Sequence, residues 1–139
     1  MNVNYLSLAV VIPCYNNSST LERAIISVLN QTRLPDEIIV VDDLSDDPDI
    51  IDDIISKYST ARLLRNKINL GLAASRNVGI YGCNSDIITF LDADDECNEF
   101  RFEIQLKAID FNTVSTCNSI NPNDNIPKII NNNYKVTKN

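Results

Sequence analysis

The sequence predicts an α/β domain built on an open, mainly parallel sheet with helices on both faces. Three observations carry that reading. Apolar runs rich in β-branched residues, at Leu8–Pro13, Glu37–Val41 and Ile87–Leu91, have the length and continuity of strands buried on both faces. Stretches with apolar residues at helical spacing separate the strands, and the order β-α-β-α-β-α-β-α demands parallel strands joined by crossover helices. Two of the runs end in acids, Asp42-Asp43 and Asp92-Ala93-Asp94-Asp95-Glu96. Open α/β sheets bind ligands at such carboxyl ends.

In chain order, Leu8-Ala9-Val10-Val11-Ile12 is closed by Pro13, and Cys14 to Ser18 supply the turn. Ser19-Thr20-Leu21-Glu22 reads as a capping box, the serine serving the helix start and the glutamate reaching back. Behind it Leu21, Ala24, Ile25, Val28 and Leu29 mark one packed helical face, which gives way around Thr32–Pro35. After the second strand, a helix is expected from about Asp49 to Tyr58, with Ile50, Ile51, Ile54 and Ile55 inward. Ala61–Asn66 carries charge and reads as a shorter strand near an edge. Asn69-Leu70-Gly71 introduces a third helix through Tyr81. A fourth helix is expected from about Asn98 to Asp110, with Phe100, Ile104, Ala108 and Phe111 on one side. Residues 1–111 then form one domain. Nine of the last 29 residues are asparagine and two are proline, so 112–139 reads as a poorly ordered tail. Within it, Ile126–Ile130 is the stretch suited to a short strand.

Composition narrows the chemistry. A net charge of −7 on 139 residues provides no basic footprint and excludes nucleic acid as a partner. Residues 1–110 carry nine Lys/Arg against eighteen Asp/Glu, so an anionic ligand there needs a bridging cation. Four cysteines without metal-ligand spacing, and no histidine, argue against zinc and exclude histidine acid–base chemistry. They suggest a reducing, cytoplasmic setting, possible also at a membrane periphery. No run reaches ~18 apolar residues, so no transmembrane segment is expected, and the start of the sequence lacks a signal-peptide pattern. Asp92 and Asp94, at a strand end, suit a hard divalent ion, Mg²⁺ or Mn²⁺, that in turn holds a diphosphate. Asp95, Glu96 and Glu99 fit a different role, the acidic first turn of a helix.

Five segments together resemble family 2 glycosyltransferases. They are Val10-Val11-Ile12-Pro13-Cys14-Tyr15-Asn16, Leu29-Asn30-Gln31-Thr32, Glu37 to Asp47, Asn69-Leu70-Gly71-Leu72-Ala73-Ala74-Ser75-Arg76-Asn77-Val78-Gly79, and Phe90-Leu91-Asp92-Ala93-Asp94-Asp95. The resemblance spans about residues 5–110. It implies the GT-A fold, a nucleotide-diphosphate sugar donor (commonly a UDP-sugar) and Mn²⁺ or Mg²⁺ at a DxD motif. Position by position it implies that Pro13, Tyr15 and Asn16 line the nucleoside pocket. Asp43, or its neighbour Asp42, accepts a hydrogen bond from the base; the competing role for that pair is turn capping. Arg76 lies near the base and diphosphate, unless it is a helix-surface partner of an acid. Asp92 touches ribose or metal, Asp94 is the principal metal ligand, and Asn77 and Gly79 shape the helix and its close packing.

Two departures stand out. The family has glycine where this chain has Leu44, and leucine resists the positive φ that glycine permits, so a different loop is expected there. The half of the domain that forms the acceptor site and supplies the catalytic base has no match in 111–139, so no catalytic residue is assigned. The acceptor implied is a glycan, lipid or protein, with a second copy or a partner chain as the means of completing the site. The leading reading is a short family 2 glycosyltransferase, truncated or the donor half of something larger, that alone transfers sugar poorly or not at all; the alternative is a degenerate nucleotide-sugar-binding module without turnover. A phosphohydrolase is disfavoured because Glu96 stands where Thr or Val is expected after the DxD. A dinucleotide-binding domain is disfavoured because the first turn has no glycine.

Overall fold

The computed structural model describes residues 6–109, together with the backbone of 113–115 and 133–135. The elements follow the expected alternation: β1 (Leu8–Cys14), α1 (Ser18–Leu29), β2 (Glu37–Asp42), α2 (Pro48–Ser56), β3 (Ala61–Arg65), α3 (Leu72–Gly82), β4 (Ile87–Phe90) and α4 (Arg101–Ala108). The four strands form one parallel sheet in the order β3-β2-β1-β4. The charged strand β3 lies at an edge, as its arginines require.

β1 pairs on both sides and is buried along its whole length, the consequence of a seven-residue run with no polar side chain before Cys14. Its alternate residues serve two cores. Leu8, Val10 and Ile12 join Leu21, Ala24, Ile25 and Val28 of α1, Ile51 and Ile54 of α2, and Phe102 and Leu106 of α4. Val11 joins Ile39, Val41 and, from α3, Val78. Three helices thus cover one face and one covers the other. α3 approaches very closely: a Cβ placed on Gly79 would lie 2.2 Å from a Val11 methyl, so this glycine is what lets the helix settle on β1.

Several local expectations yield to tertiary partners. The Ser19–Glu22 capping box does not form. α1 begins a residue earlier, Ser18 bonds Asp47, and Glu22 is drawn away to Lys57 (2.9 Å) and Tyr58 (3.0 Å). Ile50 is 51% exposed and only Ile51, Ile54 and Ile55 of the α2 set turn inward. In α4 the inward face is Phe102 and Leu106, while Phe100 and Ile104 face solvent; Phe111 lies outside the described residues. Asp95, Glu96 and Glu99 precede α4 and do not form its first turn, whose acid is Glu103. β4, expected to be buried on both faces, is half-buried throughout, because it is an edge strand and α3 sits chiefly over β1 and β2. The backbone of β5 (Thr113–Ser115) pairs antiparallel with β6 (Asn133–Lys135) within the asparagine-rich stretch. Ile126–Ile130 and Cys117 lie outside the described residues. Among those residues no helix is long and apolar enough to cross a membrane.

Candidate functional site

Because β2 and β4 flank β1, their carboxyl ends and the turn after β1 meet along one edge of the sheet. A cleft of about 360 Å³ opens there. Pro13, Cys14, Tyr15 and Asn17 line it from the first turn, Asp43 from the end of β2, Asn69, Gly71, Leu72 and Ser75 from the entry to α3, and Asp92, Ala93 and Asp94 from beyond β4.

The acids after β2 are buried and hydrogen-bonded. Asp42, 0% exposed, accepts from Arg65 Nε (2.7 Å) and from the Ser45 amide (2.9 Å), and so caps the turn. Asp43, 3% exposed, accepts from Asn66 Nδ2 (2.7 Å) and the Leu70 amide (2.8 Å) on one oxygen and from the Gly71 amide (2.7 Å) on the other. Burial alone would raise its pKa. The Leu70 and Gly71 amides, with the Asn66 and Ser75 side chains, outweigh that and hold the carboxyl below the usual carboxylate range. Asp43 is therefore an ionised acceptor that ties the segment 66–71 to the cleft wall. Between these acids and the next turn, Leu44 takes the left-handed conformation that glycine would favour (φ 66°). The expectation of a different loop is corrected. The hydrogen bonds around Asp42, Ser45 and Asn16 hold the positive-φ turn even with leucine in it.

The acids after β4 are disposed differently. Asp92 Oδ1 accepts from Arg76 (2.7 Å), whose guanidinium also lies over the Phe90 ring at 5.6 Å. Glu96 pairs with Arg23 (2.8 Å). Asp94 and Asp95 are exposed, and among the described residues neither carboxylate has a partner. Asp94 faces the cleft. No group of three potential metal ligands occurs among the described residues. Two carboxylates beside a cleft suit a hard cation that completes its shell with phosphate oxygens and water.

The glycosyl transferase family 2 model matches residues 9–135. The chain belongs to that family. The match runs past the motif-bearing segment into the asparagine-rich stretch. Among relatives of this family 2 chain, an uncharacterized glycosyltransferase of Haemophilus influenzae is 38% identical over 106 residues, covering 75% of this chain and 42% of the relative. Polypeptide N-acetylgalactosaminyltransferase 10 of Rattus norvegicus is 36% identical over 96 residues, covering 65% of this chain and 16% of that enzyme. The structure of S. aureus TarS 1–349 with UDP superposes with a TM-score of 0.70 at 22% identity, over 88% of this chain and 38% of the TarS 1–349 chain. The same protein with UDP-GlcNAc gives 0.71 at 21%, over 88% and 37%. The fold is thus GT-A. This chain spans less than half the length of these relatives.

Of the family residues singled out from sequence, Pro13, Tyr15, Asp43, Asp92 and Asp94 line the one cleft. Arg76 reaches it through Asp92. Asp42 points away, and Asn16 (φ 53°) spends its amide on Asp46, donating at 3.0 Å and accepting from its backbone at 2.8 Å. Asn66, Asn69 and Ser75 were not singled out. Asn66 and Asn69 donate to Asp43, and Ser75 accepts from Asn66. An asparagine carries no sequence signal of that kind until its acidic partner is known.

Proposed function

We propose that this chain binds a nucleotide-diphosphate sugar, a UDP-sugar, in the cleft between Asp43 and Asp94 and presents the sugar to an acceptor. The observation that carries the reading is the meeting of Asp43, Asp92 and Asp94 in one cleft at the carboxyl ends of the strands. The UDP and UDP-GlcNAc held by S. aureus TarS, a protein of the same fold, support the choice of nucleotide.

In this reading Pro13 and Tyr15 border the nucleoside, and the half-exposed Tyr15 ring offers a face to the base. Asn16 and Asp42 hold the turns on either side. Asp43, kept ionised, accepts from an N–H on the base edge, which uracil provides. Arg76 offsets the charge of Asp92 and supplies positive charge toward the diphosphate. Asp94, with Asp92, would hold Mn²⁺ or Mg²⁺ alongside the diphosphate, and that cation would supply positive charge to offset the diphosphate of the leaving UDP.

Transfer also needs a base within hydrogen-bond reach of the acceptor hydroxyl. The acids lining the cleft are all assigned to the donor, so the chain alone is expected to bind donor and transfer poorly. The same observation favours the second reading, a binding module without turnover. The acceptor, a glycan, lipid or protein, would then be met on residues or a partner chain beyond this cleft. Free thiols at Cys14, Cys83 and Cys97 fit a cytoplasmic setting.

Titration calorimetry with UDP, with and without Mn²⁺, tests the donor site. Binding should require the metal and weaken at least about tenfold in Asp94→Ala. Equal binding without metal, or no binding of UDP, overturns the assignment. Sustained acceptor-dependent turnover by the 139-residue chain would decide for an enzyme that works alone.

A further inference from the structure

The ten residues from Leu91 to Phe100 carry the acids and contain no helix or strand, so something other than backbone regularity must fix their path. What they rest on is α1 and the residues just after it. Arg23, Ser27 and Gln31 follow one another at intervals of four and form one stripe. Arg23 Nη2 donates to the Asp94 carbonyl (3.1 Å), while its Nε pairs with Glu96. Ser27 Oγ accepts from the Cys97 amide (3.1 Å) and donates to the Ala24 carbonyl (2.8 Å). Gln31, 4% exposed, donates to the Asn98 carbonyl (2.7 Å) and accepts from the Phe102 amide (3.1 Å). The Thr32 amide adds a bond to the Glu99 carbonyl (2.8 Å).

Five main-chain groups between 94 and 102 are therefore held by α1 and the residues just after it. Because these contacts are to backbone, they set where the loop runs and leave the Asp94 and Asp95 carboxylates free. The Arg23–Glu96 pair has a further effect. It occupies Glu96 on the helix side, so the unpaired carboxylates of the loop are Asp94 and Asp95, of which Asp94 lines the cleft.

We propose that Arg23, Ser27 and Gln31 are the positioning residues of the acidic loop, and that they fix Asp94 at the cleft for the donor's cation. The inference rests on the donor-site reading above, and its test separates the two. Calorimetry of UDP against the full chain across a Mn²⁺ series is compared for parent, Arg23→Ala, Arg23→Lys and Gln31→Met. Arg23→Ala is the main variant, since an exposed side chain can be removed without unfolding the domain. The Mn²⁺ needed for half-maximal UDP binding should rise about tenfold in Arg23→Ala and Gln31→Met. UDP affinity at saturating Mn²⁺ should approach that of the parent, and Arg23→Lys should recover part of the loss. Metal dependence within twofold of the parent in folded Arg23→Ala overturns the proposal. A second measurement needs no ligand: amide hydrogen exchange should quicken across residues 94–102 in Arg23→Ala while β1 and β2 stay protected. If the parent shows no metal-dependent UDP binding, the donor reading fails and exchange alone decides. Unchanged protection of 94–102 would then overturn the positioning role, and faster exchange would support it.

Discussion

At the end of β2, Asp42 and Asp43 lie buried under their own hydrogen-bond donors, whereas beyond β4 Asp94 and Asp95 stand exposed without partners among the described residues. Both pairs follow a hydrophobic strand of one sheet. What separates them is the following segment. After β2, Arg65, Asn66 and the amides of 70–71 converge on the carboxylates, which makes them part of the wall. After β4 the nearby cations, Arg76 and Arg23, take Asp92 and Glu96 and leave the two acids between them, Asp94 and Asp95, unmatched. The same motif can build a cleft or charge it, and the donors around it decide which.

The sharpest way to break that contrast is to delete one acid from each side and measure urea unfolding. Asp43→Ala strands several buried donors and should cost on the order of 3 kcal/mol. Asp94→Ala, at an exposed and unpaired position, should change stability by less than about 0.5 kcal/mol. Comparable losses in both would erase the distinction.

A smaller effect should appear in acid. Asp43 has a folded-state pKa below its unfolded value, so its contribution is present above the ordinary carboxylate range and is lost as pH falls through it. Urea midpoints measured downward from pH 7 should fall below about pH 4. Asp43→Asn, which cannot titrate, should lose less over that window, and Asp94→Asn should track the parent. A parent-like slope in Asp43→Asn would remove Asp43 from the acid response.

The smallest expected effect concerns the turn beside these acids. Leu44→Gly relieves a left-handed leucine but adds backbone freedom to the unfolded chain, for a net gain of about 0.5 kcal/mol. Destabilisation by more than about 1 kcal/mol would mean that the half-buried leucine side chain contributes more than its backbone strain costs.

The sheet and the cleft were largely legible because strand continuity and strand ends are local signals. Leu8 to Pro13 reads as a strand buried on both faces, and Asp43, Asp92 and Asp94 had to meet once their strands were parallel neighbours of β1. The details that sequence reasoning missed depend on distant partners. In α4 two apolar rows, Phe100/Ile104 and Phe102/Leu106, have the same spacing, and the inward row is the one whose first amide meets Gln31, 71 residues earlier. Glu22 had the spacing of a capping box but was taken by Lys57 and Tyr58, just past the end of α2. Leu44 looked incompatible with a tight turn, yet bonds from Asp42 and Asn16 to neighbouring residues hold it there.

The contact between Gly79 and Val11 has a mechanical consequence. A helix set so deep that its nearest residue has no room for a methyl group cannot rock or slide without opening a gap over the central strand, and close-packed interiors resist such gaps. α3 carries Leu72, Ser75 and Arg76 on its cleft side, so that side acts as a fixed jaw. The opposite jaw, the acid-bearing loop, is braced on α1 through its main chain, so both walls of the cleft are set before a ligand arrives.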